Sequence, residues 1–129
     1  MTLGKKELSQ KLREEHAAWR KNNFESKKGF FPIFYGFEQF LPKLSGGAVS
    51  LFLYLGLHSN NKTGESYHNI ETIANFFGKS PRTISSWFKE LQNEGLIYRV
   101  QTEFNGVTRT FIRPYTQNKE DQEEENAND

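Results

Sequence analysis

The sequence contains no cysteine, which excludes disulfides, thiolate zinc fingers, iron–sulfur clusters and thiol catalysis. Its three histidines are scattered, and none has a second ligand at the spacing of a metal site. A glycine-rich phosphate loop is also missing. No apolar run is long enough to span a membrane, and the charged residues 1–20 lack the apolar core of a signal peptide. These absences predict a cytoplasmic protein that is not an enzyme and has no cofactor.

Hydrophobic residues are scarce as well, at 35% of the 129 residues, whereas 26% are charged. The length suits one domain with a single core, and the low apolar content indicates that part of the chain is unpacked. The packed part has bulky side chains for its core, because aromatic residues make up 15% of the chain and twelve of them are Phe.

The net charge of +1 conceals an uneven distribution. Residues 116–129 hold one Lys and six Asp or Glu, a net charge of −5, which leaves +6 for residues 1–115. A basic body favours polyanionic partners, and an acidic tail either modulates that attraction or only keeps the protein soluble. The tail has no large apolar residue, so we predict that it is disordered.

Residues 1–43 are predicted to form an N-terminal extension in two parts. Residues 3–22 are typical of a charged amphipathic helix with a thin apolar stripe, which lies against the body, pairs with a partner or is loose when alone. The aromatic segment 24–40 is interrupted by Pro32, and we expect it to hold a short extended piece followed by a short helix. Its rings either extend the core or form a dimer interface.

Residues 44–115 have the strongest pattern. Three residues that favour helix N-caps precede apolar runs: Ser45, Asn69 and Ser80. Gly78 and Gly95 are placed to end the second and third helices. Asn105-Gly106 indicates a tight turn between two strands, and a very short strand is expected at residues 66–68. The order helix, short strand, helix, helix, strand, strand predicts a winged helix-turn-helix, an α+β fold that is mainly α.

Two segments of this region carry a family resemblance. They are residues 64–74, which contain His68-Asn69-Ile70, and residues 79–91, which begin Lys79-Ser80-Pro81-Arg82-Thr83. With Gly95-Leu96-Ile97 behind them, they resemble the winged-helix domain of plasmid and phage replication initiators and of DnaD-type replisome organisers. The resemblance spans residues 44–113. It implies a DNA-binding domain whose recognition helix opens at the Ser-x-Arg-Thr sequence.

The predicted recognition helix, residues 80–94, would place its outer face in the DNA major groove. With Ile84, Phe88 and Leu91 turned inward, six residues are candidate contacts: Ser80, Arg82, Thr83, Ser85, Ser86 and Lys89. Arg82 either pairs with guanine or grips a phosphate. Ser86 is short where such helices often carry a long side chain, which argues against strong base recognition there. Trp87 either belongs to the core or stacks on the DNA backbone.

The predicted wing, residues 104–109, would lie on the minor groove or the backbone. Asn105 and Arg109 are its candidate contacts. Asn69 adds a phosphate contact at the start of the preceding helix, although its capping role already explains it. Arg99 and Arg113 on the strands are either DNA contacts or ordinary solvated residues.

These predictions describe a sequence-specific protein for double-stranded DNA, acting as a homodimer in the nucleoid, with a transcriptional regulator of a plasmid or phage as the first hypothesis. The alternative is an accessory of DNA replication or plasmid maintenance that binds origin repeats and recruits a replication or transcription protein. A third hypothesis, a protein-interaction module, would be favoured by acidic groups on the recognition helix, where only Glu90 and Glu94 are present.

Overall fold

The computed structural model describes residues 2–101 and 108–116. They form four helices, one 3-10 helix and three strands, in the order α1 (Lys5–Glu25), the 3-10 helix (Tyr35–Phe40), α2 (Gly46–Leu57), β1 (Glu65–Ser66), α3 (Ile70–Phe77), α4 (Pro81–Asn93), β2 (Ile97–Gln101) and β3 (Thr108–Ile112). The predicted α+β fold is confirmed. The predicted turn at Asn105-Gly106 and the tail from residue 117 onward lie outside the described residues.

The chain divides into two compact units, Met1–Pro32 and Ile33–Asp129. In the first, α1 continues three residues beyond the predicted end of its helix, and none of its residues is buried. Leu8, Leu12 and Trp19 are all exposed. Among the described residues, no helix combines the length and the apolar character that crossing a membrane requires.

The helices of the second unit begin where local sequence signals place them, and α3 also ends at its signal. Ser45, Asn69 and Ser80 each accept a hydrogen bond from the backbone N–H three residues later, at 3.1, 2.8 and 3.2 Å. These bonds satisfy amide groups that have no partner within the helix. Gly78 ends α3 with a φ of 64°, a left-handed conformation that glycine adopts without steric cost.

The apolar residues of α2 are not all buried. Leu57 is 70% exposed, whereas Leu51 and Leu55 are buried. Leu57 follows Leu55 by two residues, and two residues of an α-helix turn the side chain to the opposite side. The short first strand also lies slightly earlier than predicted, at Glu65–Ser66.

The three strands form an antiparallel sheet in the order β1-β3-β2. Arg99 of β2 pairs with Thr110 of β3, and Val100 pairs with Arg109. Because side chains alternate between the faces of a sheet, Arg99 shares the inner face with the buried Ile97, and Arg109 lies on the outer face. The hairpin therefore covers the open side of the helical core with its inner face.

Part of the aromatic segment belongs to the core of the second unit. Phe37 is only 4% exposed, and its ring stacks on Phe52 of α2 with 4.6 Å between the centroids. The Tyr115 hydroxyl accepts a hydrogen bond from the Phe34 amide at 3.1 Å, and the Tyr115 ring meets Phe37 edge-on. Residues that precede α2 and residues that follow β3 thus pack together on Phe52 of α2.

Candidate nucleic-acid interface

A three-residue turn joins α3 to α4. Gly78 takes the left-handed conformation, and the Lys79 amide then donates to the Ala74 carbonyl at 3.0 Å. Ile73 and Ala74 of α3 are buried together with Ile84 of α4. The small side chain of Ala74 suits the close approach of two helices that such a short connection requires.

The two faces of α4 differ sharply. Ile84, Phe88 and Leu91 are buried, as predicted from their helical spacing. Four of the predicted contacts share the exposed side of the same helix: Arg82, Ser85, Ser86 and Lys89. The structure therefore brings these four candidates together on one accessible surface.

Three other candidates have roles in folding. The Ser80 hydroxyl accepts from the Thr83 amide and lies 3.0 Å from the Thr83 hydroxyl. Thr83 is partly buried, and Asn69 uses its side-chain oxygen to cap α3. Capping explains why these residue types occur here, and it leaves Ser80 and Asn69 exposed at the starts of two helices.

Glu90, the acidic residue nearest to the exposed face of α4, is bound within the protein. Its carboxylate accepts from the Ser45 amide at 2.8 Å and from the Ser45 hydroxyl at 2.6 Å. Both hydrogen bonds come from Ser45, the residue before α2, and they hold the carboxylate at the start of that helix. This contact escaped prediction from the sequence, because Glu90 and Ser45 are 45 positions apart.

Trp87 packs between two helices. Its ring meets Phe77 of α3 edge-on at 5.6 Å, and it lies on the backbone of Gly47 in α2. A Cβ atom at Gly47 would approach the Trp87 ring to 2.0 Å. Of the two alternatives for Trp87, the structure therefore shows packing in the helical core. In the sequence, the pair Gly46-Gly47 in the first turn of α2 was the feature that could have indicated this contact.

The comparisons with known proteins agree with this geometry. Residues 43–97 match a family model described as a helix-turn-helix domain. The chain has the fold of a winged helix-turn-helix. A solved N-terminal domain of a DNA-binding protein superposes with a TM-score of 0.54, and a solved Rep–DNA complex with 0.53. Both are 14% identical and cover 84% of this chain, and the chain covers 92% and 93% of theirs. No curated protein matches the sequence.

The wing of this winged helix-turn-helix carries two arginines with opposite surroundings. Arg109 lies on the outer face, where its Nη1 atom is 3.3 Å from Glu65 Oε1 and its guanidinium is 5.5 Å from the Tyr67 ring centre. Arg99 lies on the inner face, with its guanidinium 4.1 Å above the Phe88 ring of α4. Burial lowers the pKa of Arg99 from its usual range.

Asn105 and Arg113 are the other two residues considered as DNA contacts in this region. Asn105 lies outside the described residues, and Arg113 is exposed after the end of β3. The alternation that follows buried Ile97 could have placed Arg99 on the inner face. No sequence signal indicated that Arg109 would meet Glu65, because the strands that carry them become neighbours only in the folded sheet.

Proposed function

We propose that the winged helix-turn-helix domain binds double-stranded DNA, with α4 in the major groove and the β2–β3 hairpin on the minor groove or backbone. The observation that carries this proposal is the exposed face of α4, where Arg82 and Lys89 flank two short serines and where Glu90 is already bound by Ser45. A helix face with cations and small polar groups suits the charge and depth of the groove. Both similar solved structures are of proteins described by their DNA binding.

Each exposed side chain of α4 has a distinct proposed role. Arg82, in the first turn, either forms a bidentate pair with guanine or grips a phosphate. Lys89 reaches a phosphate two turns later, and Ser85 and Ser86 allow the helix backbone to approach the base edges. Ser80, Thr83 and Asn69 lie at helix starts, where N–H groups favour phosphate oxygens.

Asn105 and Arg109 are the proposed contacts of the wing. Arg109 forms an ion pair with Glu65, so its guanidinium must release or share this carboxylate when it binds DNA. The Arg109 side chain is 45% exposed and the Glu65 side chain 15% exposed, so the exchange replaces a partly buried ion pair with a contact to phosphate. The contact by Arg109 stays a prediction.

Two biological settings fit such a protein, and both use a homodimer on paired or repeated sites. A role in DNA replication or plasmid maintenance is favoured by one observation, the similarity of fold to a Rep–DNA complex. In this setting the N-terminal extension or the acidic tail would recruit a replication protein. A transcriptional regulator of a plasmid or phage requires only the paired sites and is the second candidate.

The decisive experiment selects binding sites from a pool of random duplexes with the full chain. The affinity for the selected site is then compared with that for a scrambled duplex. We expect a paired or repeated motif whose spacing reports the oligomer. Failure of the full chain to bind any duplex would contradict the proposal.

Arg82→Ala should weaken binding to the selected site by about 1–3 kcal/mol and relax the preference at one base pair. A uniform loss across all sequences would make Arg82 a phosphate contact instead. Lys62→Ala is the control, because it removes the same charge from an exposed turn before β1 rather than from α4.

A further inference from the structure

Arg99 is a partly buried cation without an anionic partner. It lies in the middle of β2 on the face that meets α4, opposite the buried Thr110. Among the described residues, no carboxylate lies within ion-pair distance of its guanidinium, and its Nε atom is buried without a hydrogen-bond partner. Its guanidinium carbon lies 4.1 Å from the centre of the Phe88 ring.

Packing alone does not account for an arginine at this position. An arginine stem covers apolar surface well, but so does an aliphatic side chain, which loses no hydration of a charge when it is buried. A cation over an aromatic face regains only part of the lost hydration. The charge of Arg99 is therefore left available for an anion from outside the domain.

Arg109 provides an internal comparison. The two arginines occupy neighbouring strands of the same hairpin, but they lie on opposite faces of the sheet. Arg109 has a carboxylate partner in Glu65, whereas Arg99 has none among the described residues. The guanidinium of Arg99 therefore has no anion among the described residues to exchange before it binds a phosphate.

We propose that Arg99 binds a phosphate of the DNA backbone in the angle between α4 and the β2–β3 hairpin. The inference rests on the proposed binding of duplex DNA. The sugar–phosphate backbone of a DNA strand that runs between a helix in the major groove and a wing passes the junction of α4 and β2. Arg99 and Phe88 meet at this junction. The guanidinium fork matches two phosphate oxygens, and the contact with Phe88 holds it in place before DNA arrives.

The test measures the affinity of the full chain for a mixed-sequence duplex by fluorescence anisotropy across a series of salt concentrations. Arg99→Met keeps an unbranched side chain over Phe88 and removes the charge. We expect about tenfold weaker binding. We also expect the slope of log affinity against log salt to become shallower by roughly 0.9, the value for one phosphate contact. Lys62→Met, which removes one positive charge from an exposed turn outside the proposed interface, should change the slope by less than half as much.

The outcomes separate this inference from the proposed function. If the unaltered chain binds no duplex, the proposed function fails. If the unaltered chain binds and Arg99→Met leaves the slope unchanged, Arg99 does not hold a phosphate. An equal change in slope for Lys62→Met would also overturn the assignment, because the loss of any exposed positive charge would then have the same effect.

Thermal unfolding followed by circular dichroism establishes that the variants are folded. If Arg99→Met does not fold, Arg99→Lys decides the question. Lysine keeps the charge but lacks the planar fork. A several-fold loss of affinity with an unchanged slope supports the proposal, and an unchanged affinity overturns it.

Discussion

Glu90 of α4 completes the N-terminal cap of α2 through Ser45. Its carboxylate oxygens accept from the Ser45 amide at 2.8 Å and from the Ser45 hydroxyl at 2.6 Å, and the hydroxyl oxygen in turn accepts from the Ala48 amide. In a capping box, a Glu or Gln three residues after the N-cap accepts from the N-cap amide. That position is Ala48 here, so the carboxylate comes from another helix and ties α4 to the start of α2.

Glu90→Gln should lower the free energy of unfolding by about 1–2 kcal/mol, because it removes the charge from two hydrogen bonds that a carboxylate accepts. Chemical denaturation followed by circular dichroism measures the change. Glu94→Gln is the matched control, since Glu94 follows α4 and has no ion pair among the described residues. Equal stabilities of the two variants would show that the contact with Ser45 contributes nothing.

Gly47→Ala should destabilise the protein by about 1–3 kcal/mol, because the new Cβ atom would lie within the space of the Trp87 ring. Gly46→Ala is the control from the same helical turn, where no atom lies within 4 Å of the added Cβ. It should raise stability by about 0.4–1 kcal/mol through the smaller entropy of the unfolded chain. Thermal or denaturant unfolding distinguishes the two signs, and a stabilising Gly47→Ala would disprove the packing of Trp87 on α2.

Phe37→Ala should cost about 3–5 kcal/mol, because it removes a buried ring that stacks on Phe52. Tyr35→Ala, two residues earlier, removes a side chain that is 86% exposed and should change stability by no more than about 0.5 kcal/mol. Unfolding midpoints in urea test the pair. Similar small effects of both substitutions would mean that the aromatic segment does not belong to the core of the second unit.

Truncation after Thr116 removes residues 117–129, with their one Lys and six acidic residues. We expect tighter binding to mixed-sequence DNA at low salt, because a net charge of −5 no longer repels the phosphates, and the gain should fade as salt rises. The carbonyl of Thr116, which accepts from Gln39, is retained. A chain of full length with the six acids replaced by Asn or Gln should behave like the truncated one. Unchanged or weaker binding after truncation would refute a modulating role for the tail.

The features that the sequence predicted well depend on neighbours along the chain. The caps at Ser45, Asn69 and Ser80 and the left-handed Gly78 rely on backbone groups within a few residues. The shared face of Arg82, Ser86 and Lys89 follows from the helical repeat in the same way, once the buried side of α4 is known.

The features that escaped prediction join distant parts of the chain. Glu90 reaches Ser45, Trp87 lies on Gly47, and Arg109 pairs with Glu65, and each pair is separated by about 40 positions. Periodicity along one element does not say which element will lie opposite it. For the same reason, nothing local distinguished Arg99, beside a ring of α4, from Arg109, beside a carboxylate of β1.

The sequence by itself determined the order of the elements, the starts of α2, α3 and α4 and the set of polar side chains on the outer face of α4, because these depend on local backbone conformation and helical repeat. Only the tertiary structure decided which charges remain available. Hydrogen bonds from Ser45 hold the Glu90 carboxylate, an ion pair occupies Arg109, and burial against Phe88 leaves Arg99 without an anion among the described residues. Charge in a folded protein acts through its neighbours in space, and packing selects those neighbours.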